Sequence, residues 1–301
     1  MKTYTHDCII IGGGPAGLTA AIYLQRFLHK TLIVDQDQAR VKWAPDIKNL
    51  VGFTKGISGI ALLQRLRKQA AKYSAEHLSG TAFIYRDKPG FKVCVGKNAY
   101  YSRFVILATG VKDRQPSIKN AKYLCEKKVL AYCPVCDGYD HQDKKIAVII
   151  DSETGFRKVK FMKSFSNSIY AVIIKDFKIS AQAHMRMADL KIPIHQGVLK
   201  TLIHKPKQKM LQIQLEKQKH LNVHLAYVEL GLRVSHTAVK HLKNLKRVRG
   251  GRFLINRHQQ TSIPGLYAVG DCTNSLAQVS VAAGEAAIAA TDIHNRLFAK
   301  H

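Results

Sequence analysis

Asp7-Cys8-Ile9-Ile10-Ile11-Gly12-Gly13-Gly14-Pro15-Ala16-Gly17 is the stretch that decides the fold. The apolar run up to Ile11 reads as a central parallel strand covered on both faces. Good helix formers follow from Leu18 to Phe27, and Thr31-Leu32-Ile33-Val34-Asp35 reads as a second buried strand ending on an acid. One β-α-β unit results, with Gly12-x-Gly14-x-x-Gly17 at its turn. Gly12 permits the tight turn, Gly14 lets a pyrophosphate approach the backbone, and Gly17 lets helix and strand pack closely. The helix N-terminus, where Pro15 and Ala16 stand, then offers unpaired N–H groups to phosphate. Asp35, 23 residues beyond Gly12, is expected to bind ribose hydroxyls.

Outward from this unit, residues 36 to 60 read as a loop, with Pro45, Gly52, Gly56 and Gly59, and Ile60 to Tyr73 as a basic amphipathic helix. A strand-rich stretch ends in Phe104-Val105-Ile106-Leu107-Ala108-Thr109-Gly110, and the pattern stops around Pro116. A second β-α-β unit is expected from Lys145 to Ile150, Thr154 to Phe165 and Ile169 to Ile174. Near the C-terminus, Arg252 to Ile255 reads as an edge strand, Thr261 to Asp271 as a turn and strand, and Val279 to Leu297 as a long Ala-rich helix.

Cys133-Pro134-Val135-Cys136-Asp137-Gly138 is the chemical centre. Two intervening residues let both sulfurs meet in one small loop. An acid directly after the second cysteine is well placed to move a proton during exchange. Zinc is the competing reading of this spacing. A structural zinc site needs four ligands, and beyond His141 no further ligand pair stands at suitable spacing, so no metal is expected.

Taken in order, the glycine fingerprint, Leu107-Ala108-Thr109-Gly110, the Cys-Pro-Val-Cys-Asp-Gly segment before a second β-α-β unit, and Thr261–Asp271 with its Gly270-Asp271 pair resemble low-molecular-weight thioredoxin reductase over nearly the whole chain. The resemblance implies an α/β fold of two Rossmann-like three-layer domains, the second inserted into the first. The FAD-binding domain would take residues 1–117 and 247–301, and the inserted NAD(P)H-binding-like domain residues 118–246. It implies FAD held by Gly12, Gly14, Pro15, Ala16, Gly17, Asp35, Ala108, Thr109, Gly110, Gly270, Asp271 and Gln278. It further implies a dithiol of Cys133 and Cys136, Asp137 as acid/base, a thioredoxin-like or small disulfide substrate, and a homodimer.

One segment departs from the family pattern. Aligned on Ala147-Val148-Ile149, the second fingerprint for NADPH would fall on Ile150, Ser152 and Gly155, so its first two glycines are replaced. Asp151 adds negative charge where phosphate would sit. Only Lys175 and Lys178 stand where a 2′-phosphate would be gripped. These changes disfavour tight NADPH binding by the usual mode and leave NADPH and an acidic ferredoxin-like or flavodoxin-like protein both open as electron donor.

Composition sets outer limits. The 301 residues, 46% hydrophobic and 23% charged, suit a folded two-domain protein. No apolar run approaches a membrane span and the first residues lack a signal-peptide pattern, so a cytoplasmic location without membrane partner is expected. Six cysteines at positions 8, 94, 125, 133, 136 and 272 are too sparse for a disulfide scaffold; Cys8, Cys94 and Cys125 read as packing residues and Cys272 as a small neighbour of the flavin site. The net charge of +28 favours acidic partners, and residues 118–246 carry 24 Lys and Arg against 10 acids, yet no nucleic-acid motif accompanies it. Two alternatives to a disulfide reductase stay open: an oxygen-dependent dithiol oxidase, and a non-catalytic FAD-binding redox sensor.

Overall fold

The computed structural model describes residues 4–216 and 220–299; the first three residues of the stretch read as lacking a signal peptide lie outside these. The described residues divide into two compact units, one drawn from Met1–Lys42, Ser58–Lys112 and Arg233–His301, the other from Trp43–Ile57 and Asp113–Leu232.

In the first unit, strand His6–Ile11 lies at the centre of a sheet, parallel to Thr31–Asp35 on one side and to Asn98–Leu107 on the other. Glu76–Ser79 extends the sheet beyond Thr31–Asp35. Gly90–Val95 and Ala82–Asp87 form an antiparallel meander beyond Asn98–Leu107, which also pairs in parallel with Leu266–Ala268. The apolar runs have partners on both faces, as their composition requires. Ile10, Ile33 and Ile106 pack with helix Pro15–Arg26 and with the closing helix Val279–Phe298. Ile9, Leu32 and Val105 face Phe91, Phe253 and Leu242 on the other side. Alanines 20, 21, 286, 289 and 290 are buried in the first of these layers, and their small side chains let the two helices approach closely.

The second unit repeats the plan. Ile194–Gln196, Ile169–Ile173, Ile146–Ile150, Leu225–Glu229 and Leu130–Ala131 lie side by side in that order, all parallel. Ile146, Val148 and Ile150 point into one apolar layer and Ala147 and Ile149 into the other. A separate antiparallel sheet of Leu199–Lys205, Met210–Leu215 and Leu221–Val223 packs on the second layer through Leu202, Leu211 and Ile213.

Two elements differ from expectation. The helix read over Thr154–Phe165 is a short 3₁₀ turn, Glu153–Gly155, followed by helix Phe156–Met162. It stops early because Ser166 turns back to donate to the Lys144 carbonyl at 2.6 Å, drawing the chain into the return strand. Arg252–Ile255 is no edge strand but a pair of isolated bridges, where fully buried Phe253 plugs the core and its N–H reaches the Cys272 carbonyl at 2.9 Å. Among the described residues no helix is long and apolar enough to cross a membrane.

Candidate active site

In the first unit the strand registers bring four chain ends to one edge of the sheet. Ile11 lies opposite both Val34 and Leu107, and Ala268 lies opposite Leu107. The segments leaving those strands therefore converge: Gly12–Gly17, Asp35, Ala108-Thr109-Gly110 and Val269-Gly270-Asp271. Gly12 has φ +114°, and a side chain there would overlap the Ala108 carbonyl. A Cβ on Gly17 would overlap the Gly12 carbonyl, so helix Pro15–Arg26 sits directly on the turn. Gly14 is the contrast, since a Cβ there would meet nothing nearer than Ala39 Cβ at 3.8 Å. Its open side is space a phosphate could take, and the helix it begins has no side-chain cap on its first N–H groups.

Asp35 is buried, and its Oδ2 has no hydrogen-bond partner, although the Arg67 guanidinium stands 3.7 Å from it. An orphaned buried acceptor is costly unless something donates to it, which suits a ribose hydroxyl. The carboxylate also explains Gly13, a variable position of the fingerprint, because a Cβ there would lie 2.6 Å from Asp35 Oδ2. The site thus fits a dinucleotide. Asp271 accepts from Arg40 Nη1 at 3.0 Å, and Gln278 occupies the N-cap position of the closing helix without capping it through its side chain. One residue that sequence reasoning missed organises this corner. Glu285, buried within the closing helix, accepts from Gly270 N at 2.6 Å and from the Thr273 hydroxyl at 3.3 Å. A buried glutamate in an alanine-rich run is the signal that could have found it.

In the second unit Cys133 and Cys136 are joined as a disulfide, with Cα atoms 5.4 Å apart. The Cys136 N–H donates to the Cys133 carbonyl at 3.0 Å, closing the loop at the start of the short helix Pro134–Asp137. Val135 and Tyr139 beside it are exposed. Asp137 points inward, where its Oδ1 accepts from the Tyr227 hydroxyl at 2.6 Å. Burial pushes its carboxyl up to about 6, against the lowering effect of the Tyr227 hydrogen bond. Residues 43–57 lie over this loop: Lys48 pairs with Asp140 at 2.8 Å, and Asn49 donates to the Val135 carbonyl at 3.4 Å. Neither Tyr227 nor Lys48 was visible as a site residue in the sequence. The other cysteines stand apart. Cys8, Cys125 and Cys272 are buried, and burial pushes all three thiols up, Cys125 to about 12 and Cys272 to about 11.

Two dinucleotide-type sheets in one chain, one of them bearing a disulfide beside a half-buried acid, define the class: a disulfide oxidoreductase. More specifically, residues 6–286 match the pyridine nucleotide-disulphide oxidoreductase family, and the chain belongs to it. It is 28% identical to a thioredoxin reductase of Aquifex aeolicus, over 98% of this chain and 94% of that one. It is 26% identical to that of Bacillus subtilis, over 96% and 94%. Among solved structures, thioredoxin reductase from Streptococcus pyogenes superposes with a TM-score of 0.88 at 25% identity over 98% of both chains, and that from Giardia duodenalis with 0.86 at 27% over 98% and 100%. The protein is therefore a flavin-dependent disulfide oxidoreductase enzyme.

Proposed function

We propose that the enzyme reduces a thioredoxin-like protein or a small disulfide through Cys133 and Cys136. The observation that carries this reading is the Cys133–Cys136 disulfide with Asp137, half-buried and hydrogen-bonded to Tyr227, at its shoulder. FAD, when bound, supplies a two-electron redox centre. Gly12, Gly14, Pro15, Ala16 and Gly17 would hold its pyrophosphate and Asp35 a ribose. Ala108, Thr109, Gly110, Gly270, Asp271 and Gln278 would line the remainder. These residues belong to an FAD-binding domain of 1–117 and 247–301, and the cysteine pair to the inserted domain 118–246.

The Cys133–Cys136 disulfide takes up two electrons and two protons and becomes a dithiol. One thiol, deprotonated, attacks the substrate disulfide, forming a mixed disulfide and expelling one substrate thiolate. The second cysteine then attacks the mixed disulfide, which restores Cys133–Cys136 and releases the reduced substrate. Asp137, with its carboxyl near 6, is mostly carboxylate at neutral pH, so it can accept a thiol proton and return it. The electron donor is a separate question: NADPH is the family's nominal source, and the charge of +28 suits an acidic donor protein, a choice that turns on the crevice of the second unit.

The test is an anaerobic reductive titration of the flavin-loaded protein with dithionite. The proposal expects two electron pairs per chain for the wild type, one for flavin and one for the disulfide, and a single pair for Cys133→Ser/Cys136→Ser. Reduction of thioredoxin disulfide should cease in that double variant. Equal stoichiometry in the two proteins, or turnover that survives the substitutions, would overturn it.

A further inference from the structure

The second unit has the strand order of a dinucleotide fold, yet the edge where a dinucleotide would enter is built differently from the first. In this fold the ligand crevice opens at the carboxyl ends of the strands, where connections leave in opposite directions. Here that point lies between Ile146–Ile150 and Leu225–Glu229, whose ends are in register through Ile150 and Glu229. After Ile150 comes Asp151, and its carboxylate is held by Arg114 at 2.9 Å. The same guanidinium donates to the Leu230 carbonyl at 2.8 Å, and the Arg114 N–H donates to the Gly231 carbonyl at 3.0 Å. Arg114 therefore bridges the two strand ends. A second bridge lies alongside: Lys158, from helix Phe156–Met162, pairs with Glu229 and donates to the Tyr132 carbonyl at 3.1 Å.

The turn itself is filled. The Ile150 side chain is fully buried, and its Cγ2 lies 2.5 Å from where a Cβ on Gly155 would be, so the close approach that the first unit gives to bare backbone is taken by an isoleucine. Glu153 stands at the 3₁₀ turn leading into the helix and accepts from the Ser180 hydroxyl at 2.7 Å and the Ser180 N–H at 3.2 Å. It spans from the first strand's turn to the cap of the following helix, Ala181–Asp189. Asp176, past the next strand, accepts from Gln196 at 3.2 Å. In the first unit the acid at this edge, Asp35, has an oxygen free of any hydrogen bond. In the second, Asp151, Glu153, Asp176 and Glu229 each have a partner within the chain. A pyrophosphate entering between the strand ends would have to compete with Asp151 and Glu229 for Arg114 and Lys158.

We infer that Arg114 and Lys158 hold this crevice shut and that the second unit takes no pyridine dinucleotide. The fold family's nicotinamide donor does not fit these residues, so electrons enter from a donor that does not use the crevice.

The experiment uses the flavin-loaded protein under strict anaerobiosis, with NADPH and NADH added in separate titrations. Flavin absorbance and calorimetric heat are followed together. The inference expects no saturable heat up to millimolar nucleotide and a flavin that stays oxidised. Saturable binding at micromolar concentration, with or without bleaching, overturns it. Dithiothreitol is the parallel arm, and it should bleach the flavin through the cysteine pair. If dithiothreitol fails while dithionite succeeds, the proposed disulfide pathway falls, and the calorimetric result still decides the nucleotide question separately.

Discussion

Tyr227 and Asp137, 90 residues apart in sequence, share a hydrogen bond of 2.6 Å in which the phenol donates to the carboxylate beside the disulfide. Tyr227 is fully buried on strand Leu225–Glu229, so the contact is fixed by the sheet rather than by a mobile loop. The bond favours the charged form of Asp137 and offsets part of the upward push of burial. Tyr227→Phe should therefore move the carboxyl further above about 6. The pH dependence of disulfide exchange checks this: its acidic limb should shift to higher pH in the variant.

Asp137→Asn removes the proposed proton acceptor while keeping the shape. Loss of general acid–base help predicts a rate fall of roughly 10²- to 10⁴-fold, with the limb near pH 6 abolished. Stopped-flow measurement of thiol–disulfide exchange across pH 5 to 8 reads both effects, where 5 and 8 are about the limits that bracket the transition.

The same substitution should stabilise the fold. The folded carboxyl titrates near 6, above its ordinary 3.8, so the charged form is disfavoured in the native state. Below about 4 both states hold the proton and no penalty applies. As pH rises through 6 the native state loses stability that the asparagine variant keeps, by about 3 kcal/mol for a shift of this size. Denaturant midpoints of the two proteins at pH near 4 and 8, about the ends of this window, should agree at the first and diverge at the second.

Glu285→Ala would leave the Gly270 N–H and the Thr273 hydroxyl without their buried acceptor. A loss of roughly 2–4 kcal/mol is expected, together with weaker flavin retention. Glu285→Gln, which still offers a carbonyl to Gly270, should lose less. Thermal melts with flavin fluorescence as a second readout separate the two variants.

Gly14 and Gly17 should part company on substitution by alanine. Gly17→Ala forces a methyl into the Gly12 carbonyl and is expected to cost about 3 kcal/mol as well as the flavin. Gly14→Ala meets only Ala39 Cβ at 3.8 Å, so the fold should survive while the space beside the turn shrinks. Purified Gly14→Ala protein should melt like flavin-free wild type yet bind FAD weakly. Equal flavin affinity in Gly14→Ala and wild type would refute the placement of phosphate at this turn.

Much of the architecture could be read from local pattern. The fully apolar runs at Ile9–Ile11, Leu32–Val34 and Ala147–Ile150 became two-sided buried strands, and the glycine fingerprint became the turn between strand and helix. Elements whose limits depend on distant partners were misjudged. The helix after Gly155 is cut short by a bond from Ser166 to Lys144, and Phe253 looks like strand in sequence although its role is to fill the core. Tyr227 and Arg114 were illegible for the same reason: each acts on a residue brought to it by sheet order, and a single sequence carries no record of that proximity.

The buried state of Cys8, Cys125 and Cys272 has a consequence for survival under peroxide. Oxidants and alkylating reagents attack thiolates, and burial holds these three as thiols. Sulfur that is seldom ionised is largely spared the climb to sulfinic and sulfonic acids, which cannot be reversed by simple thiols. Among the described cysteines, half-buried Cys94 and the Cys133–Cys136 pair are left open to such attack, and the pair's first oxidation product is a disulfide, which the proposed exchange cycle would reduce again.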